Sequence, residues 1–171
     1  MYFESARLDD DHILEGFDCG KEPLNKWLLD DAVRADNSGI AHVYVWTPVD
    51  EPKVCAYFAI CPTEVVRKDD GVSGRLAGGY SRIPGYLIAR LALDSSLRGS
   101  GYGEQLLVDA LGKAVAASEI GGGRLIVVDA IDAEAEAFYV HFGFSPVKNR
   151  EGRLVMKVST AAKALGERWR D

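Results

Sequence analysis

The sequence has little sulfur and no long apolar run. Of 171 residues only three are cysteine and two are methionine. Cys19, Cys55 and Cys61 are too scattered for a disulfide framework, and none sits in a CxxC pair. A free cysteine packs as a small hydrophobe, so these three read as packing or surface thiols. The three histidines, His12, His42 and His141, lie far apart without metal-ligand spacing, so no metal site is expected. No stretch of 18 apolar residues occurs, which excludes a membrane-spanning helix. The start of the chain, Met1 to Asp11, carries acids where a secretory signal would be basic and then apolar. A cytoplasmic protein follows as the expectation. Repeats, low-complexity tracts and linkers are also missing, so one domain over residues 1–171 is expected.

What is present is an ordinary globular composition, 47% hydrophobic and 27% charged. The net charge of −6 is uneven. Residues 145–171 carry +4, from Lys148, Arg150, Arg153, Lys157, Lys163, Arg168 and Arg170 against three acids, and residues 1–144 carry −10. A basic end on an acidic body suits an anionic partner. The plain alternative is a solvated C-terminal helix.

Patterning gives an α/β order. Residues 2–8 read as a first strand. A helix is expected over Glu22–Asp36, with Leu24, Trp27, Leu28 and Ala32 on one stripe. Ala41–Thr47 and Val54–Val65 alternate as a strand pair. Arg67–Ile83, rich in Gly and Ser, reads as a long loop and a candidate substrate lid. Tyr86–Leu93 is an apolar strand, and a helix follows from Gly101 to about Ser118. Arg124–Asp129 is a short buried strand. Asp132 caps a helix that ends at Gly143. Phe144–Val147 and Arg153–Val158 close a hairpin, and a last helix starts at Thr160.

The chemistry concentrates where the apolar strand ends. Arg98-Gly-Ser-Gly-Tyr-Gly103 opens an amphipathic helix. Glycine lets backbone approach a ligand closely. The first-turn N–H groups of a helix lack intrahelical partners and favour an anion, and Arg98 adds a charged donor. The segment therefore suits a pyrophosphate. A tight turn that binds nothing is the structural alternative. A Rossmann site fits poorly, because the motif lies mid-chain and no acid ends a strand about 20 residues on. No Gly-Lys-Ser/Thr follows, which excludes a Walker A loop.

Two motifs together resemble a known family. Arg98–Gly103 is similar to the Q/R-x-x-G-x-G/A signature of the GNAT superfamily of N-acetyltransferases. Asp132-Ala-Glu-Ala-Glu-Ala-Phe-Tyr139-Val-His-Phe-Gly-Phe144 resembles that family's N-x-x-A-x-x-F-Y-x-x-x-G-F segment. The resemblance spans residues 86 to 158. It implies an α/β fold with a central mixed, splayed sheet of six to seven strands flanked by helices, and a thioester in the opening. It implies acetyl-CoA as co-substrate. Leu91, Ala92 and Leu93 would meet the pantetheine arm, and the backbone of Arg98, Gly99, Ser100, Gly101, Tyr102 and Gly103 the pyrophosphate. Tyr139 would be the general acid to the leaving thiolate. Asp132 stands where the family often has Asn, so capping its helix is the role assigned besides cofactor contact. Phe138 and Phe142 read as core. No general base has supporting spacing; Glu64 and His141 are the loose candidates.

The N-terminal half is also similar to one branch of that family. Phe17-Asp-Cys-Gly20-Lys-Glu-Pro-Leu24-Asn25-Lys-Trp27-Leu28 resembles the opening of the acetyltransferase toxins of bacterial toxin–antitoxin pairs. That resemblance implies an aminoacyl-tRNA acceptor, a ribbon-helix-helix antitoxin and a homodimer. Arg75, Arg82 and Arg90 are then candidate substrate residues at the entrance, and the basic segment Lys148–Arg170 a candidate phosphate surface. The acidic stretch Asp30–Asp36 runs against it, since phosphate binding follows Lys and Arg charge. A housekeeping acetyltransferase of a small or protein amine, and a non-catalytic acetyl-CoA binder, are the alternatives.

Overall fold

The structure, a computed structural model, describes residues 3–168, and for residues 167 and 168 the backbone alone. Seven strands order as β1-β2-β3-β4-β5-β7-β6 in one mixed sheet. The strands are β1 (Ala6–Arg7), β2 (His42–Trp46), β3 (Ala56–Val66), β4 (Arg82–Leu93), β5 (Leu125–Asp129), β6 (Ser145–Pro146) and β7 (Arg153–Lys157). The helices are α1 (Glu22–Asp30), α2 (Ala32–Ser38), α3 (Arg67–Asp70), α4 (Gly74–Ala77), α5 (Tyr102–Gly121), α6 (Ala133–His141) and α7 (Val158–Arg168). No described helix is long and apolar enough to cross a membrane.

The chain divides into two compact units. The first comprises Met1–Cys61 with Ala89–Ala110, the second Pro62–Ile88 with Leu111–Asp171. In the first unit, β1, β2 and β3 pair antiparallel, with Val43 opposite Ala59 and Val45 opposite Tyr57. Alternation drives this: Val43 and Val45 are buried, while His42 is exposed. Their inner face packs with Leu28 and Ala32, so the expected stripe of Leu24, Trp27, Leu28 and Ala32 does face the core. The helix carrying it is not continuous. It breaks at Asp31, whose backbone leaves the helical region at φ −122° and ψ −25°. Past the break, Asp36 is buried; its carboxylate accepts from the Arg7 guanidinium at 2.7 Å and from the Val43 N–H at 2.8 Å. Burial pushes its pKa up, but these bonds outweigh burial and hold it below the usual carboxylate range. One acid of the supposedly acidic Asp30–Asp36 surface is therefore internal.

The second unit is built on β5. Leu125, Ile126, Val127 and Val128 are all fully buried, and such burial stabilises by roughly 1.5–3 kcal/mol per aliphatic side chain. β5 pairs parallel with β4 and antiparallel with β7. At Gly85 a Cβ would lie 2.3 Å from the Leu125 carbonyl oxygen, so only glycine fits that crossing.

Arg67–Ile83 differs from the expected loop. It folds into α3 and α4, each closed by a left-handed glycine, Gly71 and Gly78. Ser73 caps α4 by accepting from the Leu76 N–H. Val72, Ala77 and Ile83 are core residues with Leu125, Val127 and Val155. A segment pinned by three buried side chains is a wall of the unit rather than a lid. The first strand is also shorter than residues 2–8, and Tyr2 lies outside the described residues.

Candidate active site

The ladder between β4 and β5 is registered from Gly85↔Leu125 to Ile88↔Val128, and Ala89–Leu93 lie beyond it. Leu91 and Leu93 are half-buried while Ala92 points into the core of the first unit. Asp94 then turns the chain. Its carboxylate caps the 3-10 turn Ser95–Leu97, accepting from the Ser96 N–H at 3.0 Å and the Ser96 hydroxyl at 2.8 Å. Gly99 and Gly101 both adopt φ +83°, and a Cβ at either would meet nothing within 4 Å. Their glycines answer to backbone conformation, since a left-handed residue with a Cβ costs roughly 1–2 kcal/mol. The space above them is open. Tyr102 starts the 20-residue helix α5, whose N-terminus carries the positive end of the helix dipole.

A second segment holds this turn. The Asp18 N–H donates to the Asp94 carboxylate at 3.1 Å, and the Ser95 N–H donates to the Asp18 carbonyl at 2.8 Å. The Asp18 carboxylate accepts from the Gly20 N–H at 2.9 Å and the Asn25 amide at 3.0 Å, and both hold its pKa low, the backbone bond first. The Asn25 carbonyl oxygen accepts from the Cys19 N–H at 2.9 Å. Burial pushes the Asp94 carboxyl up, but the Ser96 and Asp18 N–H groups outweigh it and leave it below the usual range. Arg98 closes the bracket. Its guanidinium donates to the Cys19 carbonyl, so the side chain expected as a phosphate donor is engaged in bracing Asp18-Cys19-Gly20. Asp18, Asn25 and Asp94 were not among the expected site residues, although Asp18 and Asn25 stand inside the toxin-like Phe17–Leu28 segment.

In the second unit, Asp132 caps α6, its carboxylate accepting from the Ala135 N–H at 2.9 Å. Tyr139 on that helix is buried, with its ring edge-on to Phe138 and Phe144 at 5.4 Å. Phe138 and Phe142, expected as core, are only partly buried. α6 carries apolar residues at 133, 135, 137, 138, 139, 140 and 142, so no stripe told which ring would turn inward. Burial alone pushes the Tyr139 phenol well above its ordinary pKa. It therefore stays protonated across neutral pH, as a proton donor must.

The family model for the acetyltransferase (GNAT) domain matches residues 53–146, which include the glycine turn and Tyr139. The chain belongs to the GNAT acetyltransferase family. A tRNA-acetylating toxin of Mycobacterium tuberculosis (strain ATCC 25618 / H37Rv) is 32% identical over 163 residues, covering 94% of this chain and 96% of that protein. The structure of AtaT complexed with acetyl-methionyl-tRNAfMet matches with a TM-score of 0.85 at 28% identity, over 95% of this chain and 99% of that one. A mutant AtaT toxin bound to the C-terminus of the antitoxin AtaR and to acetyl-CoA matches with a TM-score of 0.81 at 28% identity, over 97% and 99%.

In this GNAT chain the three candidate substrate arginines divide between the two units. Arg90 belongs to the first unit, where its guanidinium lies 5.2 Å over the Trp27 ring, itself stacked on Tyr57. Arg82 is exposed and paired with Glu64 at 3.0 Å, which also engages the loose base candidate. Arg75 is exposed in the second unit. His141 is exposed, edge-on to Phe142. Cys19, Cys55 and Cys61 are free, and burial raises all three pKa values, Cys55 to about 11. Among the described residues no cluster of three or more His, Cys, Asp or Glu could hold a metal. Arg170 and the side chain of Arg168 lie outside the described residues.

Proposed function

We propose that this chain is a cytoplasmic toxin that transfers acetyl from acetyl-CoA to the α-amine of an aminoacyl-tRNA and so blocks translation. The observation that carries the acetyl-CoA half is the open, doubly left-handed Gly99/Gly101 turn at the head of α5. The acceptor half rests on the relatives, one a tRNA-acetylating toxin and one a complex with acetyl-methionyl-tRNAfMet. The backbone of Arg98–Gly103 would hold the pyrophosphate, Leu91–Leu93 the pantetheine arm, and Asp132 order α6.

Acetyl-CoA supplies the acetyl group as a thioester. The neutral amine forms a C–N bond as the C–S bond breaks, the sulfur leaves as thiolate, and Tyr139 supplies its proton. Thiol and phenol pKa values of about 8.5 and 10 make full transfer uphill by roughly 2 kcal/mol even before burial. Tyr139 therefore acts by partial donation as charge develops on sulfur. An α-amine of pKa about 8 is partly neutral at pH 7, so attack needs no protein base; the proton released from nitrogen after C–N bond formation passes to water, and Tyr139 is reprotonated from solvent. An antitoxin completes the reading, in line with the AtaR-bound neighbour; its ribbon-helix-helix type and a homodimer follow from the family resemblance alone.

The test incubates the protein with labelled acetyl-CoA and a pool of charged tRNA, then reads released amino acids by mass spectrometry. One or a few N-acetylated amino acids are expected. Confirmed acetyl-CoA binding without product on any tRNA would move the acceptor to a small or protein amine.

A further inference from the structure

The glycine turn of the first unit has little beside it. No atom lies within 4 Å of where a Cβ would stand at Gly99 or Gly101. Its hold comes from its ends. Asp18, Asp94 and Arg98 brace the entry. The exit is Tyr102, which opens α5. Its ring meets Phe3 edge-on at 5.4 Å, and Phe3 stacks on Trp46 at 5.0 Å with planes 8° apart. Phe3 and Trp46 are both buried. Aromatic pairs in these geometries stabilise beyond their buried area.

The same segment is fastened again further along the helix. The Asp109 carboxylate accepts from the Ser5 hydroxyl and from the Trp46 indole N–H, each at 2.9 Å. Tyr102 and Asp109 stand about two helical turns apart, so both lie on one face of α5. Residues 3–5 cross that face. They lie ahead of the ladder, which starts at Ala6↔Val45, so side chains fasten them. Trp46 is fixed behind them, paired with Ala56 and accepting from the Cys55 N–H at 2.8 Å. Apolar packing alone would let a helix slide or turn. Two directional bonds to one carboxylate oppose both.

We infer that residues 3–5 are a strap that positions the pyrophosphate-binding turn, with Phe3, Trp46 and Asp109 as positioning residues, an inference that rests on the acetyl-CoA reading above. A site made of backbone N–H groups binds tightly only when those groups already point at the ligand. Where the head of α5 can rock, binding must first order it, and affinity falls. The Gln105 N–H reports that order directly. It bonds α5 back into the turn, donating to the Gly101 carbonyl at 3.4 Å.

The test measures acetyl-CoA dissociation constants by calorimetry and amide exchange at Gln105 on the full chain, comparing the wild type with Phe3→Ala, Asp109→Ala and the double variant. Val43→Ala, in the core of the same unit, controls for lost stability. Each single variant should weaken acetyl-CoA about fivefold, the scale of a lost hydrogen bond or contact, and speed exchange at Gln105. The double variant should weaken it by less than the product, because both act through one strap. Full additivity would split the strap into two unrelated contacts and overturn it. Val43→Ala should lower the melting temperature with the dissociation constant unchanged. Strap variants that melt early but bind acetyl-CoA as the wild type does would reduce residues 3–5 to packing, overturning the strap and leaving the function standing. An equal loss of affinity in Val43→Ala would overturn it too. A wild type that fails to bind acetyl-CoA would remove the function and the strap together.

Discussion

The two units solve different problems with different atoms. The glycine turn of the first unit presents backbone, and its side chains, Asp18, Asn25, Asp94 and Arg98, face each other to hold that backbone still. The second unit relies on side chains, with Tyr139 buried on α6 and a framework stapled by Arg153 to Asp70 and Asp129. A backbone site tolerates few changes of conformation but is indifferent to side-chain chemistry. A side-chain site is the reverse. Each therefore breaks under a different substitution.

The largest expected effect is on the framework of the second unit. Arg153 bonds Asp129 at 2.8 Å and Asp70 at 3.1 Å. Arg153→Met should destabilise by about 3 kcal/mol, because it strands a buried carboxylate. Urea titration checks this, and turnover per folded molecule should change little. Next, Gly101→Glu should weaken acetyl-CoA about 50-fold, through the left-handed backbone of the turn, costing roughly 1–2 kcal/mol for a residue with a Cβ, and repulsion of phosphate. Calorimetry checks it, with deacylated tRNA affinity as the control. A smaller effect follows Asn25→Ala, which removes two bonds of the bracket. At about 1 kcal/mol, acetyl-CoA KM should rise roughly fivefold at constant kcat. A fall in kcat alone would show that the bracket does not position the turn.

The smallest effect is on acid stability. The Arg153 bond and charge hold the Asp129 carboxyl below its ordinary value. A depressed carboxylate pKa stabilises the fold above the unfolded value, about 3.9, and that contribution is lost as pH falls through the folded value. The wild type should therefore lose stability below about pH 4 more steeply than Arg153→Met. Parallel acid melts of the two proteins would remove this account.

The glycine turn was legible in the sequence and much of the side-chain packing was not. Glycine at 99 and 101 and acids at caps report local conformation, which needs no partner to be read. The Asp132 cap and the stop at Gly143 were placed for the same reason. Tyr139 was singled out by its motif, but its burial was not foreseen, because the apolar residues of α6 form no single stripe. Arg67–Ile83 read as loop because its helices are single turns, too short for periodicity, and the core partners of Val72, Ala77 and Ile83, namely Leu125, Val127 and Val155, are distant in sequence. The contact of the Arg98 guanidinium with the Cys19 carbonyl was not legible, because that partner is a backbone atom 79 residues away.

The division of labour between backbone binding and Tyr139 is the central claim, and Tyr139→Phe tests it most directly. Acetyl-CoA dissociation constant and single-turnover rate on charged tRNA should be measured on the same preparation. A rate lowered by about 10²–10⁴ with acetyl-CoA affinity unchanged is the expected result. An unchanged rate would make Tyr139 a packing residue and contradict the account.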